Sequence, residues 1–429
     1  MVQYRSLTIT PCKGSSALFD RFYSFIKRIG KISSLADQLL VSGGNFLTLV
    51  ICAHALPLSE QGKFTYVFAS YMALLLLNVA AIFQAAAVRA PAQKHSTYLS
   101  TLAKYQLIQA LLTSLLLSAA WLGAGSALGW QATTTEAVWL FAFLVLQQLA
   151  DFDRRTAYIF ADTRRAILSS AALYPIRVIA LIAIQPGTVS QVLMILVFSA
   201  LIPAICTIFI AIRDKSADLR PWIGEVKKHL AYSRLFIAGA PLGWLWSYLP
   251  IFMLGTMHGK EQAALLGSIR GISNIANVFM EQIETKVVAD WARLKHQDGG
   301  SAVEIATSRL LKIGTAFWLM GLFFVMMLGR EIVNLVLGEI YAPYWNLLLI
   351  GWIGYGVYFL ARVSGIKHRA LGANQVEFIG NLSGVITALI AGLLTIPAFQ
   401  TTGAAWVYVI IAITMWISQA AVLRKPLKR

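Results

Sequence analysis

The stretch from Leu35 to Arg89, LADQLLVSGGNFLTLVICAHALPLSEQGKFTYVFASYMALLLLNVAAIFQAAAVR, holds two apolar runs joined by a short polar turn. The first begins after Asp37, passes a small polar interruption at Ser42, Gly43, Gly44 and Asn45, and reaches Leu56. The second follows the turn from Pro57 to Gly62 and ends at Arg89. Each run has the roughly 20 residues that a helix rising 1.5 Å per residue needs to cross a hydrocarbon core of about 30 Å. So short a turn leaves room only for an antiparallel helical hairpin. The chain therefore opens with a pair of membrane spans.

The pattern then repeats. Ten further apolar runs fall near 102–122, 137–153, 167–184, 190–212, 235–256, 263–283, 311–328, 344–364, 377–397 and 402–423. Hydrophobic residues make up 58% of the chain and charged residues 13%, about half the charged share of a soluble domain. The alternating pattern of a membrane barrel is absent, so helices must satisfy the backbone in lipid. The fold class is an all-α polytopic membrane protein of about 12 helices in two six-helix bundles around a central cavity.

Charge tests that count. Of the 36 Lys and Arg residues, 31 fall on the side that would hold both termini. Three (Lys63, Lys260, Arg330) fall on the other side, and two (Arg177, Arg270) lie inside spans. An odd or missing span would scramble this bias, which places both termini in the cytoplasm. The same bias accounts for the net charge of +17 without a nucleic-acid partner. The first long apolar run starts only near residue 35 and lacks a cleavage-type end, so no signal peptide is expected. Cys12, Cys52 and Cys206 are far apart and suggest neither a disulfide framework nor a zinc site.

Residues 1–34 read as a basic cytoplasmic segment in which Leu18, Phe22, Phe25 and Ile29 recur at helical spacing, as in a helix lying on an anionic leaflet. Residues 35–212 form the first bundle and 213–234 a cytoplasmic linker. That linker has an interfacial helix of its own, with Trp222, Ile223, Val226 and Leu230 on one face. Residues 235–423 form the second bundle, and 424–429 a basic cytoplasmic tail. The halves echo each other weakly: Asn78-Val-Ala-Ala-Ile-Phe in span two matches Asn274-Ile-Ala-Asn-Val-Phe in span eight. Internal repeats of this kind mark secondary transporters.

Catalytic signatures are few. No phosphate-binding G-x-x-x-x-G-K-[ST] loop and no H-E-x-x-H occurs, and neither a cofactor nor a metal site is expected. Asp151-Phe-Asp153 has the D-x-D form of glycosyltransferases but sits beside Arg154 and Arg155 at a span end, where a solvated loop is the simpler reading.

Polarity at membrane depth is more informative. Arg270 and Arg177 each lie about seven residues, or ~10 Å, inside their spans. A cation there costs roughly 3 kcal/mol or more unless it faces a cavity or a partner, and an anionic ligand is its natural partner. Asn45, Asn78, Gln84, Asn274 and Asn277 would line the same cavity or hydrogen-bond between helices. Gly43 and Gly44 in span one, with Gly239 and Pro241 in span seven, are paired candidates for hinges or helix breaks. Asp37, Glu281 and Glu284 at inner span ends could bind a coupling cation, although a plain interfacial place suits them as well.

LADQLLVSGGNFLTLVICAHALPLSEQGKFTYVF resembles the opening of polysaccharide-biosynthesis membrane proteins of the Wzx type. These belong to the multidrug/oligosaccharidyl-lipid/polysaccharide exporter superfamily. QQLADFDRRTAYIFADTRRA, LGEIYAPYWNLLLIGW, HRALGANQVEFIGN and IPAFQTTGAAWVYVIIA carry the resemblance across most of the chain. It implies two six-helix bundles around a cavity that opens to either side in turn. It further implies a flippase that moves a polyprenyl-diphosphate-linked oligosaccharide across the bacterial inner membrane, for surface or exopolysaccharide assembly. Membrane lipids, a polysaccharide polymerase and glycosyltransferases would be its partners. The alternatives are a cation-coupled multidrug exporter of the same architecture and, from another class, a membrane glycosyltransferase or a scaffold for polysaccharide assembly.

Overall fold

The computed structural model of the chain describes residues 17–90, 95–125, 132–160, 162–213, 219–277, 299–371 and 375–422, with single positions between 280 and 297. Residues 1–16, Glu281, Glu284 and the basic tail lie outside the described residues. Apolar runs in a medium without water close their own backbone hydrogen bonds, and the described residues contain helices and no strand. In chain order the helices are α1 (Ala17–Ala55), α2 (Leu58–Arg89), α3 (His95–Ala124), α4 (Thr134–Ile159), α5 (Thr163–Ile184) and α6 (Val189–Arg213). The second half holds α7 (Leu219–His258), α8 (Lys260–Ser273), α9 (Gly300–Leu337) and α10 (Asn346–Ala370), then Gln375–Val422. The last of these is two arms, α11 (375–399) and α12 (401–422), because Gln400 takes a non-helical φ of 48° and ψ of −126°.

Ten of the described helices are long and apolar enough to cross a membrane. The twelve expected spans differ from that number for two reasons. The eleventh and twelfth share Gln375–Val422, and the eighth is short in its described part.

Local signals explain several ends. Thr133 and Glu136 form a capping box that starts α4. Gln185, in the left-handed region at φ 48°, closes α5. Gly259 at φ 91° separates α7 from α8, a backbone conformation that glycine adopts without strain. Within α2 the residues Val79–Phe83 form a π turn directly after Asn78, a local widening often found at functional sites.

Two expected boundaries are not helix boundaries. α1 continues from residue 17 through the first span, and the linker helix is simply the inner part of α7. That part docks on the first half instead of standing apart. Arg89 pairs with Glu225 at 2.5 Å, and the Tyr98 hydroxyl meets His229 Nε2 at 2.6 Å. The Trp244 indole donates to the Ala69 carbonyl at 2.8 Å.

In the first half α4 is central, packed on α3, α5 and α6, while α1 lies along α5. In the second half α10 packs on α9 and on the α11–α12 pair, which also covers α7. α2 crosses over and packs chiefly on α7 and α8. On the side of the α1–α2 and α7–α8 turns, which the charge bias predicts to be the outer one, small residues let the halves close. A Cβ at Gly255 would overlap the Tyr66 hydroxyl, and one at Gly267 would overlap Thr65. The Gln61 amide donates to the Ser268 hydroxyl at 3.0 Å, and His54 meets the Val336 carbonyl at 3.1 Å. The joins from α1 to the second half, through Leu49 and His54, lie towards its outer end. Its inner residues Asp37 and Gly44 contact α4 and α5 instead.

Candidate functional site

Each half holds one of the two arginines at membrane depth, and each is bound by a serine in a helix turn that precedes an internal proline. Pro203 in α6 cannot donate to the carbonyl of Ser199, four residues back, which loosens that turn. Arg177 on α5 binds there, its Nε donating to the Ser199 hydroxyl at 3.2 Å and its Nη2 to Gln147 Oε1 at 2.5 Å. The guanidinium also lies over the Tyr174 ring, 5.4 Å from its centroid. Pro250 leaves the Trp246 carbonyl without its helical donor, in the turn of α7 that also holds Ser247. Arg270 on α8 donates to the Ser247 carbonyl at 2.7 Å and to its hydroxyl at 2.6 Å. It stands over the rings of Tyr408 at 4.5 Å and Tyr248 at 5.1 Å.

The two arginines are not brought together. Arg177 binds within the first half and Arg270 within the second. At ~1.5 Å per residue Arg270 sits about 15 Å along α8 from Lys260, well within the membrane. The neutral donors, acceptors and π faces around each guanidinium offset the cost of a cation at this depth.

Arg177 lines a small cavity together with Asn45, Thr48, Tyr71, Phe64 and Phe143. Its wall is apolar apart from Arg177, Asn45, the Thr48 hydroxyl and the Tyr71 hydroxyl. Tyr71 in turn donates to Asp151 at 2.8 Å, which sets a buried carboxylate one hydrogen bond behind the cavity wall.

The other sequence candidates distribute as follows. Asn274 accepts from the Tyr355 hydroxyl at 3.0 Å, and Asn277 follows half-buried one turn on. Asn78 takes the second of its expected roles, a hydrogen bond between helices: it accepts from Gln109 at 2.6 Å and ties α2 to α3. Gln84 is a correction, because it is exposed on the flank of α2. Gly43, Gly44, Gly239 and Pro241 do not break their helices, and α1 and α7 run through them. Gly44 is instead a packing position, since a Cβ there would meet the Tyr174 side chain at 2.6 Å. The Thr48 hydroxyl donates to its carbonyl at 2.7 Å.

Asp37 is the largest correction. It is 1% exposed and accepts from Arg154 at 3.1 Å, from the Tyr158 hydroxyl at 2.7 Å and from the Ser170 hydroxyl at 2.5 Å. A guanidinium already neutralises it, which leaves no room in its charge balance for a coupling cation. The D-x-D pair is similarly committed. Asp153 is ion-paired with Arg165 and Asp151 is held by Tyr71, so the two carboxylates do not converge on one ligand. Among the described residues no cluster of three metal-ligating side chains occurs.

Sequence reasoning missed Ser199, Gln147, Ser247, Tyr248 and Tyr408, which give the arginines their settings. The helix-internal prolines Pro203 and Pro250 were the available signal.

No family model and no curated protein matches the chain at the level of sequence. Solved structures do match it in fold. An inward-facing multidrug resistance MATE family transporter of the MOP superfamily superposes with a TM-score of 0.71 at 15% identity, covering 90% of this chain and 92% of that one. The lipid II flippase MurJ, in an inward closed conformation, gives 0.69 at 12% identity, covering 92% and 87%. An outward-facing MATE transporter gives 0.63 at 15% identity, covering 93% and 95%. The chain has the fold of these transporters.

Proposed function

We propose that the protein is a flippase of the bacterial inner membrane that carries a polyprenyl-diphosphate-linked saccharide from the inner to the outer leaflet by alternating access. The observation that carries this reading is the small cavity in which Arg177 is the cation in an otherwise mostly apolar wall. One cation amid aromatic rings suits an amphiphilic anion: the charge takes the guanidinium while apolar parts keep to the wall. The cavity would widen to take the head group as the halves move, and the lipid tail stays in the bilayer. Arg270 supplies a second cation at depth in the other half, so that each half grips the anion as the outer seam opens. Surface or exopolysaccharide assembly, with its glycosyltransferases and polymerase, is the pathway that uses such a substrate.

Export of cationic drugs against an ion gradient is the competing use of this fold. The cation in the cavity wall and the internal pairing of Asp37 with Arg154 both weigh against it.

Proteoliposomes holding the purified protein and a fluorescent polyprenyl-diphosphate oligosaccharide test the reading, with an impermeant quencher reporting transfer between leaflets. Protein-dependent transfer is expected, falling about tenfold or more in Arg177→Gln, the loss that follows from about 1.4 kcal/mol of missing charge-assisted binding. Absence of transfer, with or without an ion gradient, overturns it.

A further inference from the structure

The second half contains a cluster that none of the above uses. On α10 the residues Tyr355, Tyr358 and Arg362 follow at spacings of three and four and so share one face. The outer end of this strip is tied to α8, where the Tyr355 hydroxyl donates to Asn274. Its inner end is Arg362, ~10 Å further along the helix.

Trp246 of α7 stands against this strip, its ring 5.5 Å from that of Tyr358 at an angle of 46°. Its indole N–H donates to Asn381 Oδ1 on α11 at 3.1 Å, which fixes the amide and turns its NH2 group away from the indole. Gly384 lets the indole lie close to α11, since a Cβ there would stand only 3.3 Å from Trp246. The Tyr358 hydroxyl accepts from Arg362 at 2.7 Å. All four side chains are only half-buried, so part of each aromatic face and part of the guanidinium remain accessible.

Arg362 has a second side. It borders a narrow crevice whose other walls, Met280, Leu310, Phe359, Val363 and Ile366, are apolar. Along one line the structure thus offers a pair of tilted rings with an oriented amide, then a guanidinium, then an apolar crevice.

That order matches the head of a lipid-linked sugar: a pyranose ring, its phosphate, and the start of a prenyl chain. We infer that Trp246, Tyr358, Asn381 and Arg362 form a saccharide-phosphate subsite in the second half, an inference that rests on the flippase reading. The apolar C–H face of the sugar stacks on Trp246 and Tyr358, and a hydroxyl accepts from the Asn381 amide. Arg362 takes the phosphate in charge-assisted hydrogen bonds. The first prenyl units lie along the apolar side chains beside Arg362. No bond is made or broken.

Binding to the full-length protein in nanodiscs tests this, comparing a polyprenyl diphosphate that bears a saccharide with the same lipid bearing none. The wild type is expected to prefer the sugar-bearing lipid about fivefold, the size of one or two stacking contacts. Trp246→Leu and Tyr358→Leu should each abolish the preference for the sugar-bearing lipid. Tyr358→Phe keeps the ring and should keep the preference, which separates stacking from a folding defect. Arg362→Gln should weaken both lipids about tenfold, as loss of a charge-assisted phosphate contact requires. Wild-type binding of both lipids that none of these variants alters overturns the subsite alone. Failure of the wild type to bind either lipid overturns the flippase reading, and the subsite with it.

Discussion

Arg154 on α4 reaches Asp37 on α1 at 3.1 Å, and the carboxylate, 1% exposed, takes two further hydrogen bonds from Tyr158 and Ser170. The pair joins three helices at the inner end of the first half. An ion pair so enclosed is held by geometry: its mutual attraction mostly offsets the desolvation of both ions, and removing one partner strands the other. Arg154→Met is therefore expected to destabilise the protein by about 3–5 kcal/mol, seen as a large drop in melting temperature in detergent. The double variant Asp37→Asn with Arg154→Met should recover most of that loss. A double variant no more stable than Arg154→Met would show that the pair is not a unit.

Arg177 differs in a way that separates binding from folding. The groups it hydrogen-bonds, Gln147 and Ser199, are both neutral, so Arg177→Met strands no hydrogen-bonded ion. Its stability cost should stay near 1–3 kcal/mol, the range for leaving two buried polar groups short of a partner. Binding of a polyprenyl diphosphate, by contrast, should fall about tenfold or more, since a charge-assisted contact is lost. Melting curves and lipid binding measured on Arg154→Met and Arg177→Met together would show the opposite ranking in the two assays. Equal rankings would make Arg177 a structural residue.

His229 sets a pH limit on the docking of α7. Burial pushes its imidazole down to about 4, with Arg89 adding to the shift and Glu225 opposing it. Burial raises the neighbouring Glu225 carboxyl, but hydrogen bonds and charge from Lys228 and Arg89 outweigh this and hold it below its ordinary value. A histidine with a depressed value binds its proton more readily in the unfolded chain. Its contribution to stability is full above about pH 6.5 and is lost as pH falls from there towards 4. The melting temperature should decline across that window, and His229→Gln should flatten the decline. An identical profile in the variant would assign the pH dependence to other groups.

How far the sequence revealed all this depended on the range of the interactions. Span positions were legible because each apolar run must be about a bilayer long, and even the break near Gln400 shows as the gap between residues 397 and 402. Arg177 and Arg270 stood out because a cation at depth always needs an explanation. What those cations touch was not legible. Ser247 lies 23 residues from Arg270 and Tyr408 lies 138 away, and no local pattern connects them. Asp37 misled for the same reason: a carboxylate at a span end looks interfacial until Arg154, 117 positions later, is folded against it. The glycines of span one looked like weak points. A helix in lipid keeps its hydrogen bonds across glycine, however, and Gly44 serves to bring α1 against Tyr174.

The outer seam gives the most direct test of motion. Gln61 on α2 and Ser268 on α8 hydrogen-bond at 3.0 Å across the two halves, at a level where Gly255 and Gly267 allow the backbones to approach. Alternating access requires this contact to separate in every cycle. Gln61→Cys with Ser268→Cys, in a background from which Cys12, Cys52 and Cys206 have been removed, should therefore cross-link under mild oxidant. The 3.0 Å hydrogen bond places the two positions opposite each other across the seam. Transfer of the labelled lipid in proteoliposomes should stop on oxidation and return on reduction, while each single cysteine variant stays active. Transport that continues through the cross-link would show that the outer seam never opens, and that the substrate leaves by a path through one half alone.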